Sequence, residues 1–125
     1  MKKTILLKPF KEFEVIDFKD DLHYYYEKIQ CECIDIVQPH IMNHLDKKFQ
    51  SKQFCLIVDD EGLLVENPQL NLYASTVYGN TIFGNALVCK ELHTEDGIYT
   101  VGLNDDDIEV FFKAIQDAIE KVKGL

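Results

Sequence analysis

Two histidines four apart, His40 and His44, are the nearest approach in this chain to a metal pair. On a helix that spacing puts both imidazoles on one face, as a zinc site needs. Cys31 and Cys33 precede them and Asp46 follows. The set goes no further. There is no HExxH, and a C-x-C pair does not have zinc-ribbon spacing. Loop histidines are the simpler reading, so no metal and no cofactor is expected. A metal-assisted enzyme using His40, His44 and an acidic cluster stays only as an alternative.

Carboxylates cluster at Asp20-Asp21, Asp59-Asp60-Glu61 and Asp105-Asp106-Asp107. They would hydrolyse a glycoside or hold magnesium only by converging on one pocket. Each cluster has a structural explanation as a helix cap or a turn. Cys55 and Cys89 lie in apolar runs, without the positive partner that activates a thiolate. Ser51 and Ser75 sit in no GxSxG elbow. No GK[ST] follows Gly79 or Gly84, so they make no P-loop. No catalytic residue is assigned, and the chain leans away from being an enzyme.

The remaining candidate is defined by what it lacks. From Asn67 to Cys89 there is no charge, and all 35 charged residues lie elsewhere. Such a run is either buried or presents neutral hydrogen-bonding groups. It carries the amides Asn67, Asn71, Asn80 and Asn85, and the aromatic residues Tyr73, Tyr78 and Phe83 at five-residue intervals. Gly79 and Gly84 each follow an aromatic residue, and Tyr78-Gly79-Asn80 fits a turn. Aromatic rings with neutral amides suit the stacking of a planar ligand or a protein-binding patch. The candidate ligand- or partner-binding residues are Asn67, Asn71, Tyr73, Tyr78, Gly79, Asn80 and Phe83. The bland alternative is a long connection tucked over the core. Residues 85–89 read as strand, where burial explains neutrality.

The elements that must position these residues follow from periodicity. Strands are expected over 4–8 and 12–18, joined tightly through Pro9-Phe10-Lys11. A short helix over 21–30, capped by Asp20 or Asp21, puts Leu22, Tyr25, Tyr26 and Ile29 on one face and leaves Tyr24 more exposed. Residues 31–38 read as a third strand, with Cys31 and Cys33 on one face. Residues 39–52 fit a helix and a loop equally well. Residues 53–58 are the most apolar strand and central in the sheet. Leu63-Leu64-Val65 returns from the 59–62 turn as a hairpin. Strands over 85–92 and 98–102 flank a turn at Glu95-Asp96-Gly97. The last helix has Asn104 as N-cap and three aspartates in its first turn. Its apolar stripe is Ile108, Phe111, Phe112, Ile115, Ile119 and Val122. The fold class is α+β: a mostly antiparallel sheet, a short helix after the second strand and a long C-terminal amphipathic helix packed on it.

The 125 residues suit one domain, 1–125. The net charge is −9, and all 13 positive residues are lysines. That balance argues against nucleic acid, which needs a basic footprint, and against an anionic membrane surface. It leaves a basic protein partner open, and homo-oligomerisation too. Ile5-Leu6-Leu7 is too short for a signal-peptide core, so the expected compartment is the cytosol of whichever cell makes the protein.

Several short motifs carry a family resemblance. They are Lys8-Pro9, Ile16-Asp17-Phe18, Asp60-Glu61-Gly62-Leu63, Asn67-Pro68 with Asn71, the stretch Ile82-Phe83-Gly84-Asn85-Ala86-Leu87-Val88, and Gly102-Leu103 before an acid-capped helix. Together they resemble a family of small bacteriophage, plasmid and mobile-element proteins known only as a domain of unknown function. Residues 39–52 and the far end of the last helix exceed the usual pattern. The resemblance implies a mobile-element origin and supplies no catalytic residues. The function expected is a non-catalytic binding protein acting on a host protein, such as a defence component. The alternative is a binder or sequestering protein for a small neutral or nucleotide-like ligand, with Tyr73, Tyr78 or Phe83 stacking the base and Asn71, Asn80 or Asn85 reading its edge.

Overall fold

The computed structural model describes residues 2–39, 54–62, 64 and 67–123. His40, His44 and the rest of 40–53 lie outside the described residues, as do Leu63, Val65 and Gly124. The six strands are β1 (Lys3–Lys8), β2 (Glu12–Asp17), β3 (Ile34–Val37), β4 (Phe54–Asp59), β5 (Ala86–Thr94) and β6 (Gly97–Val101). The helices are α1 (Leu22–Ile29), α2 (Leu72–Tyr78) and α3 (Asp105–Lys123). Every strand pairing is antiparallel, in the order β2-β1-β5-β4-β3. The far half of β5 pairs instead with β6, end-on to β1. The expected α+β class holds.

The sheet is covered on both faces. Alternation along each strand divides the core, because successive side chains point to opposite sides. Ile5, Leu7, Leu56, Val58, Ala86 and Val88 face α2 and α3, against Ala74, Val77 and Phe111. Leu6, Cys55, Ile57, Leu87 and Cys89 face α1, against Tyr25 and Ile29. β4 is central, as its unbroken apolar run requires.

The helix ends follow their capping residues. Asp21 Oδ1 accepts from His23 N at 3.0 Å and starts α1. Its neighbour Asp20 instead accepts from the Tyr25 hydroxyl at 2.7 Å. At α3, Asn104 Oδ1 accepts from Asp107 N at 2.8 Å while Asp107 Oδ2 accepts from Asn104 N at 3.0 Å. This reciprocal capping box satisfies two donors at once.

Three expectations are corrected. Cys31 and Cys33 are not in a strand, because Gln30 ends α1 in the left-handed conformation and β3 begins only at Ile34. Within α1 the exposures of Leu22 and Tyr24 are exchanged. Leu22 is exposed, whereas Tyr24 folds back and its hydroxyl donates to Asp17 O. The uncharged run contains the helix α2, which periodicity did not reveal. The return strand expected over 63–65 lies outside the described residues except for Leu64, an exposed bend, and the two edges of β4 pair with β3 and β5.

Cys55 and Cys89 lie opposite one another across β4 and β5, both buried and free. Burial pushes the Cys89 thiol from its ordinary 9 up to about 12, and raises Cys55 as well. Such thiols are protonated and unreactive at neutral pH. They also set an alkaline limit. The folded state holds these protons after the unfolded chain has released them, so their stabilisation is complete below pH 9 and is lost as pH rises towards 12. Each thiol costs about 1.4 kcal/mol per pH unit in that window. Urea midpoints measured from pH 8 to 10.5 are expected to fall steeply, and Cys89→Ala to make the fall shallower.

Candidate functional site

The uncharged run is stitched to itself and to the sheet. Asn71 N donates to Ile82 O, and Gly84 N to Gln69 O, both at 2.8 Å. A β-bridge joins Leu70 to Phe83 between them. Ser75 Oγ accepts from Ile82 N at 2.8 Å. Asn71 is wholly buried and uses its amide in full. Its Oδ1 caps α2 by accepting from Ala74 N at 3.0 Å, and its Nδ2 donates to Leu7 O at 2.9 Å and Gly84 O at 2.8 Å. Gly79, at φ 92°, ends the helix in a conformation suited to glycine. The neutrality therefore has a structural cause, since a charge placed among these carbonyls and apolar side chains would be desolvated without a partner.

The candidate residues separate accordingly. Asn71 is closed off from any ligand. The Asn85 amide donates to Lys28 O in the last turn of α1 at 3.1 Å. Asn67 and Asn80 face solvent, and Asn80 Oδ1 accepts from Thr81 N. Tyr73 and Tyr78 do not share a surface. Five helical residues turn the direction by about 140° and advance it about 7.5 Å. Tyr73 goes to the β2 side, with Phe13 and Phe112, while Tyr78 goes to the β3–β4 side.

At that second side Tyr78 and Phe83 meet, in an open pocket of about 260 Å³. Its other walls are Asp35 and Val37 of β3, Val58 and Asp59 of β4, the Asp60–Gly62 turn, and Thr81-Ile82. The register sets Asp35 beside Val58, on the α2 face of the sheet. The turn is fixed by Asp59 Oδ1, which accepts from Glu61 N at 2.9 Å. Gly62 permits the close approach, because a Cβ there would lie 2.6 Å from Phe83 O. Among the described residues no lysine pairs with Asp35, Asp59 or Asp60, although Lys3, Lys8, Lys19, Lys28 and Lys90 all have carboxylate partners. Alternation along β4 sends the Asp59 side chain to the α1 face, so the pocket offers two aromatic rings and the carboxylates of Asp35 and Asp60, neither paired with a lysine among the described residues. That is the chemistry of an ammonium or guanidinium site. Among the described residues no three His, Cys, Asp or Glu side chains are grouped to hold a metal ion.

Sequence reasoning reached Tyr78 and Phe83 through the uncharged run, and assigned Asp59 and Asp60 only to a turn. Asp35 was missed. Its signal is weak, an acid at one alternate position of a four-residue strand, and only register brings it to the pocket.

The fold is that of a small α+β domain with an open pocket at one edge of its sheet. Over residues 1–116 the chain matches DUF3846, a domain of unknown function, and it belongs to that family, which is found in phage, plasmid and mobile-element proteins. No curated protein and no solved structure matches it. Among the described residues no helix is long and apolar enough to cross a membrane.

Proposed function

We propose that the chain is a non-catalytic binding protein that acts on a host protein, such as a component of a defence system, by receiving one of its lysine or arginine side chains. One observation carries this reading: Tyr78 and Phe83 line one open pocket together with Asp35 and Asp60. A cation desolvated over an aromatic face gains about 0.5–2 kcal/mol, and the carboxylates add charge-assisted bonds. The net charge of −9 would speed the encounter with a basic surface. The nucleotide alternative has less support, because its phosphates would meet the carboxylates of Asp35 and Asp60 in a chain without arginine.

The test compares wild type, Asp60→Lys and Tyr78→Ala as affinity baits against host lysate, with thermal melting of each. A partner held by wild type and bound at least 10-fold less by both variants, at melting temperatures within a few degrees, is the expected result. Equal capture by all three sinks the reading. Stabilisation of the wild type by nucleotides, but not by arginine or spermidine, would favour the sequestration alternative instead.

A further inference from the structure

The opposite edge of the sheet carries a second surface. Among the described residues β2 pairs only with β1, and none of them pairs along its outer edge. The bond from Phe18 N to Lys2 O sets the phase of the ladder. Antiparallel pairs alternate between exchanging both bonds and exchanging none. With Phe18–Lys2 a bonded pair, the even residues of β2 bond to β1, and the odd residues turn their N–H and C=O groups outward. Phe13 and Val15 therefore present two donors and two acceptors to solvent. The Tyr24 hydroxyl closes the edge at Asp17 O.

The side chains match this open ladder. Phe13 and Val15 lie on the α3 face and are 48% and 44% exposed. Phe13 stands 4.9 Å from Phe112 and 6.2 Å from Tyr73, ring centre to ring centre. Beside them a groove of about 300 Å³ continues along Ile115 and Ile119 of α3. The charges on β2 are all negative: Glu14 and Asp17, each paired with a lysine of β1, and Glu12, with Glu120 at the groove. An edge strand is usually protected by charge, and here the charge has one sign. That sign discriminates. Antiparallel self-pairing centred on Glu14 sets Glu14 against its own copy, and centring on Val15 sets Phe13 against Asp17. Two copies at −9 each also repel. A strand alternating lysine or arginine with apolar residues meets no such conflict. Its apolar side chains would enter the groove and its cations would face Glu12 and Glu14.

We infer that β2 is a strand-addition site, which takes an extended basic–apolar segment of a partner protein as a seventh strand. This surface lies across the sheet from the Tyr78–Phe83 pocket and does not depend on it.

The test uses a capped, fluorescent ten-residue peptide of alternating lysine and valine. The controls are a block peptide of the same composition and an alternating glutamate–valine peptide. Fluorescence anisotropy should give binding to the alternating basic peptide at least 10-fold tighter than to either control. Hydrogen exchange at the Phe13 and Val15 amides should slow at least 10-fold in the complex. Phe13→Lys should weaken binding at least 10-fold, and Asp60→Lys should leave it unchanged. Val15→Pro deletes an outward N–H and serves as a second variant if its melting temperature is retained. Equal binding of the block peptide, or protection confined to other amides, overturns the inference. So does dimerisation that protects Phe13 and Val15 without peptide, which would make the occupant a second copy.

Discussion

Replacing Asn71 by aspartate, a nearly isosteric change, is expected to destabilise the fold by about 4 kcal/mol or more at neutral pH. The carboxylate would keep one function, since an oxygen still caps Ala74 N. It would lose the other two. Nδ2 is the donor to Leu7 O and Gly84 O, and an oxygen in its place sets a negative charge against two carbonyls inside the protein. A buried acceptor left without a donor costs about 1–3 kcal/mol. Against a total stability of roughly 5–15 kcal/mol, the loss threatens folding itself. Asn71→Ala loses the cap, worth about 1 kcal/mol, and both carbonyl donors, but introduces no charge. Urea unfolding at pH 7 should rank wild type above Asn71→Ala and Asn71→Ala above Asn71→Asp. Near pH 4 the aspartate variant should regain part of its deficit as its carboxyl protonates and becomes a donor. An aspartate variant as stable as wild type would show that Asn71 does not hold the run to β1.

Asp107 carries the second large effect. It is fully buried, completes the capping box with Asn104, and pairs with Lys90 Nζ at 2.8 Å. The Lys90 side chain is itself only 18% exposed. The pair ties the middle of β5 to the first turn of α3, where the helix dipole also favours the carboxylate. Asp107→Asn keeps the shape and an oxygen for the cap, but strands the Lys90 ammonium away from water. Removing one partner of a buried pair typically costs about 3–5 kcal/mol. Asp107→Asn is therefore expected to cost at least about 3 kcal/mol in urea unfolding. Lys90→Met combined with Asp107→Asn should recover much of it, because the ammonium left without its carboxylate is then removed. Additive losses in that double-mutant cycle would mean that Lys90 and Asp107 act independently.

Long periodic elements were legible in the sequence. The stripe and cap of α3, the apolar run of β4 and the tight β1–β2 connection each depend on residues near in sequence. α2 was not legible, because seven residues hold too few turns for an amphipathic pattern to emerge. Its only local marks are Asn71 and Gly79, a cap at each end. Cys31 and Cys33 were misplaced because the left-handed turn at Gln30, a non-glycine residue, has no strong signal. Tyr78 and Phe83 were identified, but so was Asn71, and composition alone could not separate a neutral residue that serves the fold from one left at the surface.

The sequence by itself determined an α+β chain of the DUF3846 family, acidic and without arginine, with one neutral stretch unlike the rest. Periodicity, capping and charge are local properties, so they can be read along the chain. Only the tertiary structure decided what that stretch does. Register brought Asp35 to Tyr78 and Phe83, and the pitch of a two-turn helix sent Tyr73 to the opposite edge of the sheet. Pairing across strands and direction around a helix depend on residues distant in sequence. What looked like one neutral surface is a hydrogen-bonded scaffold, closed around Asn71, that sends Tyr73 and Tyr78 to opposite edges of the sheet.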